Sequence, residues 1–198
     1  TGSGAGTGAN AANAAKYNQS SFWSGVNSSL VSQPVKVIFL EGEYVINTSA
    51  DRLGLSNIGN LNHRLTLEGE RPYGTVFTRT DAAPNTGTDN SWVMVQVARS
   101  TNMVIRHLHW ENDITLSGKL VNYCLAVTSG STGNAARDVA IEGCSFLNMN
   151  YNIYGGFGFH HRQTRGGRVS YCEFITGGYG SGFHMIYNAY GASDLLFE

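Results

Sequence analysis

The chain has 198 residues, of which 41% are hydrophobic and 14% charged, with a net charge of −1. That apolar fraction is enough for one folded domain and too high for a disordered chain. The near-zero charge gives no basic field for nucleic acid, and no apolar run approaches the ~18 residues that a membrane-spanning helix needs.

Turn-forming residues are abundant: 25 are glycine and 18 asparagine. Nothing after residue 35 keeps a 3.6-residue apolar period, so long helices are disfavoured and an all-β chain is expected. The three cysteines are Cys124, Cys144 and Cys172. They allow at most one disulfide, have no zinc-type spacing, and read as small buried hydrophobes.

In chain order, the stretch from Thr1 to Gln19 is rich in Gly, Ala and Asn and reads as an irregular lead-in. A helix follows. Ser20 or Ser21 can cap it, Phe22, Val26 and Leu30 recur every four residues beside Trp23, and Pro34 ends it. Residues 1–34 thus form a lead-in with a capping helix, and 35–198 form the remaining single domain. Val35–Leu40, the turn Glu41-Gly42-Glu43, and Tyr44–Ile46 read as strand, turn, strand.

From there the chain repeats. Leu67, Ile105, Ile141, Val169 and Phe197 occupy equivalent places at spacings of 38, 36, 28 and 28 residues. The longer intervals fit inserted loops at Asp81–Asn90 and Ser129–Ala136. The unit holds several short strands and almost no helix. Parallel stacking of such units would place inward positions one strand separation apart, about 4.8 Å. Cys144 and Cys172, and Phe146 and Phe174, then become internal ladders, and Asn148 and Asn150 become turn residues.

The lead-in, the helix, the segment Val35–Tyr44 and the x-Val-x-Ile-x-x-Cys-x-Phe repeat together resemble the right-handed parallel β-helix superfamily, the pectate-lyase-like fold, in its secreted bacterial carbohydrate-active branch. The resemblance implies an all-β, right-handed, single-stranded parallel β-helix with an N-terminal capping α-helix, in a secreted or cell-surface protein. Glu198 falls within a strand, so the sequence reads as an incomplete stack whose open edge would meet further chain or another copy. The likeness is specific for fold and weak for chemistry.

The densest group of functional side chains lies in Gly155-Gly156-Phe157-Gly158-Phe159-His160-His161-Arg162 and, 28 residues on, Phe183-His184-Met185-Ile186-Tyr187-Asn188-Ala189-Tyr190. With Phe157, Phe159, Phe183, Met185 and Tyr187 inward, alternation turns Gly156, Gly158, His160 and Arg162 outward, along with His184, Ile186, Asn188 and Tyr190. Gly156 should then neighbour His184, His160 should neighbour Asn188, and Arg162 should neighbour Tyr190. Cys124, Ala126 and Thr128 of the preceding unit should share these columns. Such a groove suits β-elimination from a uronate. Arg162 or Arg165 would hold the carboxylate and His160 or His184 would act as base. Tyr187 or Tyr190 would donate to the leaving oxygen, and Asn188 would bind substrate. The plainer reading of each residue is a solvated polar ladder.

A second cluster runs from Arg106 to Asp113. Arg106, His107 and His109 are expected to face solvent at a bend. Glu111 and Asp113 are candidate oxygen ligands for Ca²⁺, but no carboxylate column accompanies them. The leading expectation is a polysaccharide lyase acting on an acidic glycan. A glycoside hydrolase would need paired outward carboxylates, which the sequence shows sparsely, and a structural or adhesive filament fits the low charge.

Overall fold

The computed structural model describes residues 15–46, 51, 53–79, 93–111, 123–128, 136–147, 151–156, 165–175, 184–189 and 193–198. They form one α-helix, α1 (Ser20–Ser29), and sixteen strands arranged in three parallel sheets. The first sheet holds β1 (Val35–Phe39), β4 (Leu65–Gly69), β7 (Thr101–Arg106), β10 (Arg137–Glu142), β13 (Arg165–Ser170) and β16 (Ser193–Phe197). The second holds β2 (Gly42–Ile46), β5 (Thr75–Arg79), β8 (His109–Glu111), β11 (Ser145–Leu147) and β14 (Glu173–Ile175). The third holds β3 (Leu53–Ser56), β6 (Val93–Ala98), β9 (Tyr123–Thr128), β12 (Tyr151–Gly156) and β15 (His184–Ala189). The chain visits the three sheets in turn, and each strand pairs in parallel with the one three places later.

The apolar repeat sets the register. Val37, Leu67, Ile105, Ile141, Val169 and Phe197 stand in one row across the first sheet. Leu67 and Ile105 are fully buried and Ile141 nearly so. Each such side chain contributes ~1.5–3 kcal/mol on burial, and a one-residue slip would turn the whole set to solvent. The second sheet carries an aromatic row. The rings of Tyr44 and Phe77 stack at 5.2 Å, Phe77 and Trp110 at 6.0 Å, Trp110 and Phe146 at 4.8 Å, and Phe146 and Phe174 at 5.0 Å. The expected Phe146–Phe174 ladder is therefore present.

The corner from the first sheet to the second is also repeated. His107, Gly143 and Tyr171 occupy it on successive laps, all with positive φ. A left-handed residue there turns the chain sharply between two strands.

Helix α1 lies over the first lap. Trp23, Val26 and Leu30 join the core, and Phe22 packs against it half-buried. The cap differs from expectation. Gln19 is the N-cap and makes no side-chain cap bond, while Ser20 and Ser21 are already helical. The entry is fixed instead by the Trp23 indole, which donates to the Tyr17 carbonyl at 2.7 Å. The Tyr17 ring in turn meets Tyr44 edge-on at 5.5 Å. The expected loop at Asp81–Asn90, nearly all of Ser129–Ala136, and the turn residues Asn148 and Asn150 lie outside the described residues.

Candidate functional site

Of the groove predicted from the sequence, His160, Arg162 and Tyr190 lie outside the described residues. Arg165 opens β13, and His184, Tyr187 and Asn188 lie on β15. The register of β12 against β15 corrects the expected neighbours. Tyr151 pairs with His184, Tyr154 with Tyr187, Gly155 with Asn188 and Gly156 with Ala189. Gly156 therefore does not neighbour His184, and Asn188 is matched to Gly155 rather than His160. Ile186 shares the row of Ile153 and the fully buried Leu125, whereas Tyr187 shares the neighbouring row with Tyr154 and Ala126.

The cause is a redistribution of loop length. The first- and second-sheet offsets in this region are 28 residues, as Arg137 to Arg165 and Ser145 to Glu173 show, but the third-sheet offset is 33. One lap has a three-residue connection before its third-sheet strand and an eight-residue connection after it. The next lap reverses that order. Equal totals conceal the swap. His184 consequently stands at the start of β15, about four residues or ~13 Å of strand from Asn188.

The corner entering the first sheet gains a feature that the sequence reading missed. Arg137 and Arg165 pair in register on successive laps, and Ser193 follows on the next. Like charges placed directly opposite each other disfavour pairing. Aligning the repeats on their first-sheet residues would have exposed this pair.

The second cluster is reorganised as well. On the outward face of the first sheet, Glu68 is 2.6 Å from Lys36, 2.7 Å from Arg106 and 3.7 Å from His107. One step on, Arg168 pairs with Glu142. Partial burial pushes the Glu68 carboxyl up, but Lys36 and Arg106 outweigh it and hold its pKa below the ordinary value. These charges satisfy one another. Solvent screening leaves such pairs a minor contribution beside the apolar row beneath them.

His109 does not face solvent as expected. Its side chain is 12% exposed, and Trp110 beside it is fully buried in the aromatic row. His109, Ser145 and Glu173 stand in one row on successive laps. The imidazole Nδ1 hydrogen-bonds the Ser145 hydroxyl, and Nε2 is 3.9 Å from a Glu111 oxygen. Tyr73, exposed and in a left-handed backbone conformation, places its ring 6.3 Å from that of His109. Glu173 hydrogen-bonds the Tyr73 phenol and pushes its pKa up. The arrangement holds an imidazole, a phenol and two carboxylates together, the groups that general acid–base chemistry uses.

Burial lowers the His109 pKa, against the opposing effects of Glu111 and Glu173. The unfolded chain therefore takes up a proton here more readily than the folded one. This contribution to stability is full above about pH 6.5 and is lost as the pH falls toward the folded value. Urea titrations at about pH 7.5 and pH 5.5 should show a loss of stability that His109→Gln reduces. An equal loss in both proteins would assign the effect elsewhere.

Asp113 lies outside the described residues. Among those described, no group of three or more His, Cys, Asp or Glu side chains could hold a metal ion, and no helix is long and apolar enough to cross a membrane. A cleft of about 530 Å³ between α1 and the end of β3 is bordered by Asn18, Ser24, Asn27, Ser56 and Asn57, with no charged residue among the described lining. Comparisons of the chain with protein families, curated proteins and solved structures find no match.

Proposed function

We propose that the chain is a secreted right-handed parallel β-helix that cleaves a uronate-containing polysaccharide by β-elimination at the corner between the third and first sheets. The observation that carries this reading is the in-register pair Arg137 and Arg165, two guanidinium-bearing positions one lap apart. A polyanionic chain lying along the stack would meet a cation on these two successive laps. In the sequence, Arg162 and His160 lie three and five residues before Arg165. Tyr190 lies three residues before Ser193, the residue in register with Arg165. In this reading Arg162 and Arg165 neutralise the C6 carboxylate and acidify the C5 proton. His160 takes that proton and Tyr190 donates to the leaving oxygen. His184, at the far end of β15, would contact substrate rather than share the proton transfer, as would Tyr187 and Asn188 of the same strand.

Incubation with polygalacturonate, alginate and glycosaminoglycans should release products that absorb through the new C4–C5 double bond. His160→Ala, Arg162→Ala and Arg165→Ala should each reduce that rate by about 10²–10⁴-fold with an unchanged circular dichroism spectrum. Absence of unsaturated product on all three polymers, or survival of the rate in all three variants, would overturn the lyase reading.

A second reading rests on Glu111 and Glu173, the two carboxylates that act on His109. Paired carboxylates can hydrolyse a glycosidic bond without forming a double bond. New reducing ends without absorbance, lost in Glu173→Gln, would favour it.

A further inference from the structure

We propose that Cys144 and Cys172 form a redox-active dithiol that closes into a disulfide joining two successive laps. Glu142 pairs with Ser170 and Ser145 with Glu173, so the two cysteines between them stand one lap apart in the same row. Adjacent parallel strands run ~4.8 Å apart, inside the ~4.4–6.8 Å range of Cα separations that a disulfide spans. Their surroundings match, lap for lap. The Cys144 thiol lies 3.7 Å from the Ile105 carbonyl and 3.5 Å from that of Glu142; the Cys172 thiol lies 3.6 Å from the Ile141 carbonyl and 3.4 Å from that of Ser170. The two side chains thus leave the backbone in the same direction, and both are free thiols.

The pair is asymmetric, which sets the order of attack. Cys144 is 1% exposed, and burial pushes its pKa up. Cys172 is only partly buried, and its hydrogen bond with Cys144 pulls its pKa down. The accessible, more acidic thiol is the one that attacks. With a small-molecule disulfide such as oxidised glutathione, the Cys172 thiolate attacks one sulfur, forms a mixed disulfide and releases one glutathione thiolate. Cys144 then loses its proton to solvent and displaces the second glutathione. The products are one Cys144–Cys172 bond and two reduced glutathiones, so the two electrons lost by the protein reduce one small disulfide. The bond would tie the lap that carries Arg137 to the lap that carries Arg165. It stands whether or not the groove beside those arginines is catalytic.

The test equilibrates the whole chain in glutathione buffers of graded redox poise, traps thiols with an alkylating agent, and maps the peptides by mass. The expected result is a Cys144–Cys172-linked peptide that appears at oxidising poise, disappears on reduction, and persists in Cys124→Ser. Cys144→Ser should instead stop at a mixed disulfide of Cys172 with glutathione. Cys172→Ser should leave Cys144 unmodified. The proposal is overturned if both thiols alkylate fully at every poise in the folded chain, if the linked peptide pairs Cys124 instead, or if Cys144 rather than Cys172 carries the mixed disulfide in the single variants.

Discussion

Trp110→Ala is expected to destabilise the chain by about 3–5 kcal/mol, the range for removing a large aromatic from a packed interior. Trp110 is fully buried and lies between two rings, with Phe77 at 6.0 Å and Phe146 at 4.8 Å. Neither neighbour can close the gap easily, because each is held in its own lap by the strand register. The cost is therefore the lost transfer energy plus that of a cavity in the middle of the row. Phe174→Ala provides the internal comparison. That ring stacks on Phe146 at 5.0 Å but is only partly buried, so its loss should cost less than half as much. Urea midpoints with unchanged slopes would report both values. Equal costs at the two positions would mean that the row is not a continuous packed column.

The first-sheet row, and the Phe146–Phe174 end of the aromatic row, were legible in the sequence because inward positions recur from lap to lap. A Leu, Ile, Val or Phe must recur wherever the pleat faces inward, so Leu67, Ile105, Ile141, Val169 and Phe197 could be aligned without knowing the loops between them. Connections obey no such rule. The eight-residue segments 157–164 and 176–183 precede and follow different strands, and equal lap totals gave no sign of it. The β12–β15 register was therefore read five residues out, and the candidate groove with it. His109 was misjudged for another reason. Its immediate neighbours alternate as an exposed bend would, but Ser145 of the next lap and Tyr73 of the lap before enclose it. Burial supplied from 36 residues away leaves no local periodicity. The Glu68 network has the same origin, since Lys36 and Arg106 reach it from the laps on either side.

Gly59→Ala should be the most damaging substitution among the described glycines, for two independent reasons. Gly59 has φ +127°, a conformation that side-chain-bearing residues rarely adopt. A Cβ built there would also lie 2.1 Å from the Thr101 carbonyl oxygen, a backbone atom that cannot swing aside. Gly59 and Thr101 bridge in parallel, and the Thr101 amide donates to the Ile58 carbonyl at 3.2 Å. Relief of the clash would therefore pull apart two successive laps, and would also disturb the Gly59 amide bond to Asn27 of α1 at 3.3 Å. Backbone strain of ~1–3 kcal/mol and a steric cost of ~1–3 kcal/mol together give a loss of roughly 2–6 kcal/mol. Gly25→Ala separates this mechanism from a general intolerance of alanine. Gly25 is exposed within α1 with nothing within 4 Å of a built Cβ, so alanine there should stabilise by about 1 kcal/mol through helix propensity. Chemical denaturation of the two variants should move in opposite directions. A Gly59→Ala protein as stable as the parent would mean that the Gly59–Thr101 contact does not hold the first lap to the second.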